Sequence, residues 1–358
     1  MRIVIFANAD SGLYLFRKEL IAELLKNHKV YISLPYGRYV GQLVDMGCEF
    51  IELPMNRRGI NPIADFKLIH KCFSILKEVK PHLAITYTIK PNIYGGWACK
   101  VRKIPYAVNI TGLGTAFENG GLLKYLVKFM YKIALKRGRV VFFENFANRE
   151  LFIREKIVPQ EKTCVLNGAG VNLDRFSVLP YPDNIAFKFL FIGRIMKEKG
   201  VDELFEAMKR LVGDGEKCFL DVVGPLEEDY WEKLKQCELE GWLKYHGRQN
   251  EVRSFIEACD CFVLPSYHEG MANTNLECAS SGRPIITSNI PGCREAAVEG
   301  SGLLCEPKNA DSLYHVMKQM LGFTRGQREQ MGIVGRKYME EVFDKKLVVQ
   351  ATLDRLFG

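Results

Sequence analysis

Residues 261–284 read CFVLPSYHEGMANTNLECASSGRP. The segment begins with an apolar run, passes through a turn at Glu269 and Gly270, and continues into a helical pattern over residues 274–281. A second apolar run follows at residues 284–287. A strand, a turn, a helix and another strand form the repeating unit of a parallel α/β sheet, so this stretch predicts the fold class.

The same alternation extends in both directions along the chain, with a break into Gly, Asn, Pro and Tyr near residues 168–186. It predicts strands at residues 2–7, 29–34, 48–52, 83–87, 106–110 and 139–143, and then at 187–193, 217–223, 243–246, 260–264 and 284–287. We therefore expect an α/β protein of two doubly wound, Rossmann-like domains that face each other across a cleft. The expected boundaries are an N-terminal domain at 1–170, a linker at 171–186, a C-terminal domain at 187–344, and a C-terminal helix at 345–358 that packs back on the first domain.

The formal net charge of +8 is unevenly distributed. Residues 1–180 carry 27 lysines and arginines against 14 acidic residues, whereas residues 181–358 carry 23 against 28. A basic half indicates an anionic partner, and nucleic acid, anionic lipid and a phosphorylated substrate all fit this charge. The basic half lacks interleaved aromatic residues and any recognisable nucleic-acid-binding module, so we expect no nucleic-acid partner.

The 11 cysteines are scattered and form no Cys-x-x-Cys pair, which is typical of reduced core thiols in a cytosolic protein. The first apolar run stops at Asp10, and no stretch of about 18 apolar residues follows, so neither a signal peptide nor a membrane span is expected. The sequence has no Asp-x-Asp metal motif. We therefore expect a cytoplasmic protein with no bound metal and no resident cofactor.

Charged residues follow two of the predicted strands. Arg194 and Lys199 lie in the loop after the strand at 187–193, where they fit a diphosphate clamp or a solvated turn that only complements nearby carboxylates. Glu269 lies in the next turn, and Glu277 is expected two turns into the following helix. Carboxylates, cations and the free N–H groups of a helix N-terminus together fit a sugar joined through a diphosphate to a ribose. The alternative is that Glu269 caps the helix and Glu277 is solvated.

Several phrases carry a family resemblance. EGMANTNLECASSGRPI (269–285) resembles the Glu-x7-Glu signature of retaining GT-B glycosyltransferases of family 4, and GRIMKEKG (193–200) and NGAGVNLDRF (167–176) are similar to that family's phosphate-binding loop and prelinker turn. The N-terminal phrases resemble the bacterial subgroup that builds capsule, O-antigen and N-glycan precursors on a polyprenyl diphosphate, and within it the α-1,3-N-acetylgalactosaminyltransferases of lipid-linked bacillosamine. These phrases are TYTIKPNIYGGWAC (86–99), NITGLGTAFENGG (109–121) and VFFEN (141–145).

The resemblance implies a UDP-sugar donor site in the second domain and acceptor binding in the first. Arg194 and Lys199 would neutralise the diphosphate, Glu269 would hold sugar hydroxyls, and Glu277 would hold ribose hydroxyls. Arg194, Lys199 and Glu269 are thus the implied catalytic residues. The remaining implied donor contacts are Gly12 (otherwise a simple turn), Gly193, Gly247 and Arg248 near the base, Gly270, Met271, Ala272, Asn273 and Leu276.

The resemblance further implies metal-independent, retaining transfer by front-face attack, with the leaving phosphate assisting deprotonation of the acceptor. Many family members carry a histidine after the fifth strand, where this sequence has Thr111 and Gly112, so an imidazole role there is in doubt. Two other enzyme classes share the architecture. A sugar-nucleotide 2-epimerase would lack a second sugar site, and a glycan phosphorylase would need a cofactor-lysine motif that the sequence lacks.

The first domain offers acceptor and membrane candidates. Lys90, Asn92, Thr111 and Gly112 lie after predicted strands and fit an acceptor phosphate, although Asn92 also fits a helix cap. Residues 122–139 form a basic amphipathic helix that fits either an anionic bilayer or ordinary packing on the sheet. We expect a polyprenyl-diphosphate-linked acceptor and a peripheral location on the inner face of the cytoplasmic membrane. The expected membrane-facing stripe is Lys124, Lys128, Lys132 and Lys136, opposite an apolar face of Leu123, Leu126, Val127, Met130, Ile133 and Ala134.

Overall fold

The structure is a computed structural model that describes residues 1–56, 61–114 and 121–358, apart from the side chain of Leu122. Residues 115–120, which belong to the phrase NITGLGTAFENGG, lie outside the described residues. The chain divides into two units. Unit 1 comprises Met1–Ala169 and Val348–Gly358, and unit 2 comprises Gly170–Leu347.

Unit 1 is built on a parallel sheet with the strand order β3-β2-β1-β4-β5-β6-β7 over the described residues. Its central strands are apolar on both faces, because helices cover both sides of the sheet. The strands are β1 Arg2–Phe6, β2 Lys29–Leu34, β3 Glu49–Glu52, β4 Leu83–Tyr87, β5 Tyr106–Ile110, β6 Val140–Phe143 and β7 Thr163–Val165. The helices are α1 Asp10–Leu25, α2 Val40–Asp45, α3 Pro62–Val79, α4 Gly96–Arg102, α5 Gly121–Leu135 and α6 Phe146–Arg154.

Unit 2 contains a second parallel sheet with the order β10-β9-β8-β11-β12-β13. Its strands are β8 Phe187–Ile192, β9 Cys218–Val223, β10 Leu243–Tyr245, β11 Cys261–Leu264, β12 Ile285–Ser288 and β13 Gly302–Cys305. Its helices are α7 Val201–Gly213, α8 Trp231–Leu239, α9 Arg253–Ala258, α10 Asn273–Ser280, α11 Ala310–Gly322 and α12 Arg325–Tyr338, followed by α13 Lys345–Phe357. Short 3₁₀ or π turns lie at Pro91–Gly95, Gln160–Lys162, Lys197–Lys199, Arg294–Ala296 and Met339–Phe343.

Both sheets are doubly wound, as the sequence predicts. The predicted strands at residues 29–34, 83–87 and 106–110 are confirmed with both boundaries unchanged. In each sheet the strand order reverses once, between β1 and β4 in unit 1 and between β8 and β11 in unit 2. Ligands of open α/β sheets bind beyond the carboxyl ends of the strands at such a point. The loops after these four strands are therefore the candidate ligand-binding sites.

Residues 171–186 belong to unit 2 and form hydrogen bonds with other residues of that unit. The guanidinium of Arg283 donates to the carbonyl of Pro180 at 2.6 Å, and the Tyr181 hydroxyl donates to the Asp260 carbonyl at 2.7 Å. Helix α13 begins in unit 2, but its later residues Val348, Val349 and Leu356 are buried in the core of unit 1. No helix in the described part of the chain is both long and apolar enough to span a bilayer.

Candidate functional site

The loops after β8 and β11 are held together by their backbones at the reversal point of unit 2. Gly200 has a φ of +70°, and a Cβ at this position would overlap the carbonyl oxygen of Pro265. The Tyr267 amide donates to the Glu198 carbonyl at 2.9 Å. Since only glycine tolerates both this φ and this close approach, the two loops keep a fixed separation.

Lys199 and Glu269 form an ion pair across these two loops. Each side chain is only 14% exposed. The buried hydroxyl of Ser266 donates a second hydrogen bond, of 2.9 Å, to the same carboxylate oxygen of Glu269. The structure therefore brings Lys199, predicted to bind the diphosphate, into direct contact with Glu269, predicted to bind the sugar. It also adds Ser266 to the site, which the sequence analysis did not identify.

Arg194 is held more loosely than Lys199. Its side chain is 40% exposed, and it forms a long ion pair with Glu227, with 3.7 Å between Nη1 and Oε2. Gly193, which precedes it, approaches the loop after β9, because a Cβ on Gly224 would overlap the Gly193 carbonyl. The guanidinium thus stands at the edge of the same loop cluster, where it can turn toward an anion.

Glu277 lies closer to the start of its helix than the sequence predicts. Helix α10 begins at Asn273, so Glu277 is little more than one turn inside it and not two. Its carboxyl is largely enclosed, and this burial raises its pKa to about 7, although the nearby charges of Arg175 and Lys345 oppose the rise. The sequence analysis did not single out these two cations, although Arg175 lies within the quoted phrase NGAGVNLDRF.

The raised pKa of Glu277 predicts a pH-dependent stability. Between the ordinary glutamate pKa and about 7, the folded state binds more protons than the unfolded state, so the free energy of unfolding falls as pH rises through this window. Glu277→Gln removes this dependence. We expect the melting temperature of the variant, relative to wild type, to rise between pH 5 and about pH 7 and to level off above that.

A matched control for this measurement is Glu240→Gln. Hydrogen bonds from Trp242 and Gln236 lower the pKa of Glu240, so its contribution to stability changes only below the ordinary glutamate pKa. The difference in melting temperature between this control and wild type should therefore be constant between pH 5 and pH 8. A difference between Glu277→Gln and wild type that is constant with pH would contradict a raised pKa of Glu277.

The other predicted donor contacts fall into two groups. Gly270, Met271 and Ala272 are buried, and the Ala272 amide donates to the Gly292 carbonyl at 2.7 Å, so this one of the predicted backbone donors is already used within the protein. The Oδ1 atom of Asn273 is buried without a hydrogen-bond partner among the described residues, whereas Leu276 is a fully buried core residue with no side-chain surface for a ligand.

The contacts predicted for the base and for Gly12 have different surroundings. The Gly247 carbonyl accepts from the Gly224 amide at 2.9 Å, and Arg248 is exposed. Gly12 lies in the first turn of helix α1, so its interpretation as a simple turn is wrong. Apart from its chain neighbours and the adjacent backbone of its own helix, no described atom lies within 4 Å of a Cβ placed on Gly12, which leaves open space beside the helix start.

Unit 1 has a cavity of about 230 Å³ at its own reversal point. Thr88 follows β4 and has a φ of +72°, which is costly for a β-branched residue and is characteristic of functional sites. The Lys90 ammonium reaches Asp65 of α3 at 2.9 Å, so this predicted acceptor ligand is already paired. The cavity is lined by Asn8, Met55, Asn56, Thr88, Ile89, Lys90, Thr111, Gly112 and Gly114.

Asn92 does not line this cavity. It is buried inside the turn Pro91–Gly95, where its amide nitrogen donates to the Asn109 carbonyl at 2.8 Å and its amide oxygen accepts from the Thr86 hydroxyl at 2.7 Å. Both its helix-cap interpretation and its acceptor interpretation are therefore corrected, because its polar atoms bind neighbouring strands. Within the described part of the chain, no three His, Cys, Asp or Glu side chains are grouped as metal ligands would be.

Helix α5 exposes a different face from the one expected. Of the predicted apolar face only Val127 and Ala134 are buried, together with Tyr131 and Leu135. Lys128 is paired with Glu155 at 2.8 Å, so the predicted stripe of four free lysines is wrong at that position. Lys124 is half-buried, and Lys132 and Lys136 are exposed. Apolar side chains are exposed between them: Leu123, Tyr125, Leu126 and Phe129.

Comparison with known proteins identifies the family. The family model described as glycosyl transferases group 1 matches residues 182–338, and the model described as glycosyl transferase 4-like matches residues 2–145. The chain is a glycosyltransferase of the GT-B fold. The structure of Anabaena Alr3699/HepE in complex with UDP-glucose superposes on this glycosyltransferase with a TM-score of 0.80, over 99% of each chain and at 16% identity, which shows the shared fold.

Two curated relatives extend over most of this glycosyltransferase. N,N'-diacetylbacillosaminyl-diphospho-undecaprenol alpha-1,3-N-acetylgalactosaminyltransferase of Campylobacter jejuni is 29% identical, with 90% of this chain and 89% of that protein covered. UDP-Gal:alpha-D-GlcNAc-diphosphoundecaprenol alpha-1,3-galactosyltransferase of Escherichia coli is also 29% identical, with 82% and 81% covered.

Proposed function

We propose that the enzyme transfers an N-acetylhexosamine, with retention, from a UDP-sugar to a hydroxyl of a polyprenyl-diphosphate-linked saccharide in cell-surface polysaccharide or glycan synthesis. The observation that carries this proposal is the grouping of Arg194, Lys199 and Glu269 at the reversal point of unit 2, with Glu277 on the helix that follows. The names of the two curated relatives support it, since both describe transfer to a sugar on diphosphoundecaprenol.

In the proposed step, the acceptor oxygen forms a bond to the anomeric carbon while the bond between that carbon and the β-phosphate oxygen breaks. The acceptor proton passes to an oxygen of the leaving phosphate, and UDP departs. Arg194 and Lys199 stabilise the charge that develops on the diphosphate, which is the work that a metal ion performs in other enzymes. Glu269 orients the sugar by accepting from its hydroxyls, and Glu277 binds the ribose.

We assign the acceptor to the cavity of unit 1. Thr88, Lys90 and Thr111 line a space of about 230 Å³ together with Gly112 and Gly114. To bind an acceptor phosphate, the Lys90 ammonium would exchange its ion pair with Asp65 for the phosphate. Polar groups that converge on one small cavity suit a single sugar ring and its phosphate.

The direct test is transfer in the presence of EDTA. The protein is incubated with a UDP-N-acetylhexosamine and a polyprenyl-diphosphate-linked monosaccharide, and lipid product and UDP are measured. We expect equimolar UDP and disaccharide-lipid. Isomerisation of the sugar nucleotide without UDP release would indicate an epimerase, and loss of activity in EDTA that Mg²⁺ or Mn²⁺ restores would contradict the role of the two cations.

A lipid-linked acceptor brings the enzyme to a membrane, and we place it on the inner face of the cytoplasmic membrane. The exposed apolar face of α5 supports this placement, since Tyr125 is 69% and Phe129 is 61% exposed. Ile63 and Phe66 of α3 are each 72% exposed, and α4 packs against both α3 and α5. Apolar residues beside lysines on a helix are typical of interfacial binding to anionic lipid.

Vesicle flotation tests this surface. We expect Leu126→Asn with Phe129→Asn to abolish flotation with anionic vesicles, because the apolar contact is lost. We expect Lys132→Glu with Lys136→Glu to weaken flotation at low salt and to remove its release by added salt, because the attraction to anionic lipid is lost. Ile333→Asn serves as the control, since Ile333 is 60% exposed on unit 2. Equal flotation of the Leu126/Phe129 variant and wild type would exclude this face as the docking surface, and concentration-dependent dimers lost in that variant would assign it to self-association.

A further inference from the structure

The ion pair between Lys199 and Glu269 joins two groups that the proposed function assigns to different parts of the donor. Lys199 is assigned to the diphosphate and Glu269 to the sugar, yet the two are bonded to each other. Their side chains are each 14% exposed, so solvent and salt screen the pair less than a surface pair. Ser266 donates to the same Glu269 oxygen, which orients the carboxylate toward the lysine.

We propose that Glu269 competes with the donor diphosphate for Lys199, and that this competition makes the site prefer UDP-sugar over UDP. The inference rests on the proposed function and adds a specificity role to Glu269. A diphosphate that binds Lys199 draws the ammonium away from Glu269 and leaves a poorly hydrated carboxylate without its cation. This desolvation cost opposes the binding of any ligand that has no hydrogen-bond donor for the Glu269 carboxylate.

UDP-sugar and UDP differ at this point. The hydroxyls of a bound sugar donate to Glu269 and replace the lost ion pair, whereas UDP has no group for it. The separation of Lys199 from Glu269 therefore weakens the binding of UDP by its full free-energy cost. It weakens the binding of UDP-sugar less, because the sugar hydroxyls offset part of that cost. The consequence for turnover is that the product nucleotide leaves readily, because the returning ion pair helps to displace it.

The geometry of the loops makes the competition local. The close approach of Gly200 to Pro265 fixes the backbone on either side of the pair, so the loops do not separate to relieve it. The response to a diphosphate is then confined to the flexible lysine chain. Ser266 keeps its hydrogen bond to Glu269 in either position of the lysine.

Isothermal titration with UDP tests the proposal through a double-mutant cycle. We expect Glu269→Gln to bind UDP about tenfold more tightly than wild type, while affinity for the UDP-sugar does not rise. In a Lys199→Met background, the same Glu269→Gln change should have little effect on UDP affinity. Without Lys199 there is no ammonium for which the carboxylate and the diphosphate compete. The matched control is Glu228→Gln, an exposed carboxylate in the neighbouring loop that bonds the Lys197 amide and not Lys199.

Three other results of the UDP titrations would contradict the inference or the proposed donor. Unchanged or weaker UDP binding by Glu269→Gln would overturn the inference. A gain that persists undiminished in the Lys199→Met background would also overturn it, because it would reflect simple repulsion between the carboxylate and the diphosphate. Failure of wild type to bind UDP at all would refute the proposed donor and not this mechanism alone.

Discussion

Replacing Arg194 by alanine is expected to lower kcat/KM by about 10²–10³, the typical loss when one charge-stabilising donor is removed from a transition state. The melting temperature should barely change. The side chain is 40% exposed, and its recorded ion contact, with Glu227, is 3.7 Å long, so folding depends little on it. Steady-state transfer kinetics and a thermal melt on the same preparation measure both expectations.

Lys197→Ala is the matched control for Arg194→Ala. Lys197 belongs to the same loop, carries the same charge and is exposed, and its recorded hydrogen bond to Glu228 uses its backbone amide. The control should retain nearly all activity. Near wild-type turnover in Arg194→Ala would contradict the role of Arg194 at the diphosphate. An equal loss in Lys197→Ala would show that the general charge of the loop matters and not a specific contact of Arg194.

Arg283→Met is expected to destabilise the enzyme by about 3–5 kcal/mol, because it leaves several buried carbonyls unsatisfied. The Arg283 side chain is 1% exposed and lies over the ring of Tyr181. Its guanidinium donates to the carbonyls of Ile256 at 2.8 Å and Glu257 at 3.0 Å, in addition to Pro180. Methionine fills a similar volume but donates nothing, so the loss measured is that of the hydrogen bonds.

Urea unfolding followed by tryptophan fluorescence measures this loss. Arg325→Met is the control, since Arg325 donates to the carbonyl of Tyr181 from the surface and is 48% exposed. We expect the control to lose less than about 1 kcal/mol. Equal losses in the two variants would mean that the network around Arg283 contributes no more than a surface contact.

The sequence predicted the sheets well where strands are apolar runs with clear ends. The strand YAVNI of β5 lies between Pro105 and Thr111, and KVYISL of β2 lies between His28 and Pro35, and both strands were predicted to the residue. Strands β7 and β13 were missed, because Thr163–Val165 is only three residues long and Gly302–Cys305 begins with glycine. Short edge strands owe their pairing to neighbours, which a single segment does not encode.

Prediction of the site was limited by contacts between distant residues. Arg194, Lys199 and Glu269 were predicted to lie in loops that follow strands of the second sheet. That Lys199 pairs with Glu269 depends on how two loops 70 residues apart in the sequence meet. Lys90 likewise pairs with Asp65 from an earlier helix. The lysine period of α5 indicated an amphipathic helix, yet which face packs inward is decided by Tyr131 and the sheet beneath it.

The return of α13 to unit 1 has a consequence for the order in which the chain is made. Val348, Val349 and Leu356 complete a core that otherwise consists of residues from the first half of the sequence. A ribosome translates all of unit 2 before these residues emerge. Until then, the apolar surface of unit 1 that α13 covers in the folded protein stays exposed. Unit 2 is continuous in sequence and can finish folding first, although it is synthesised second.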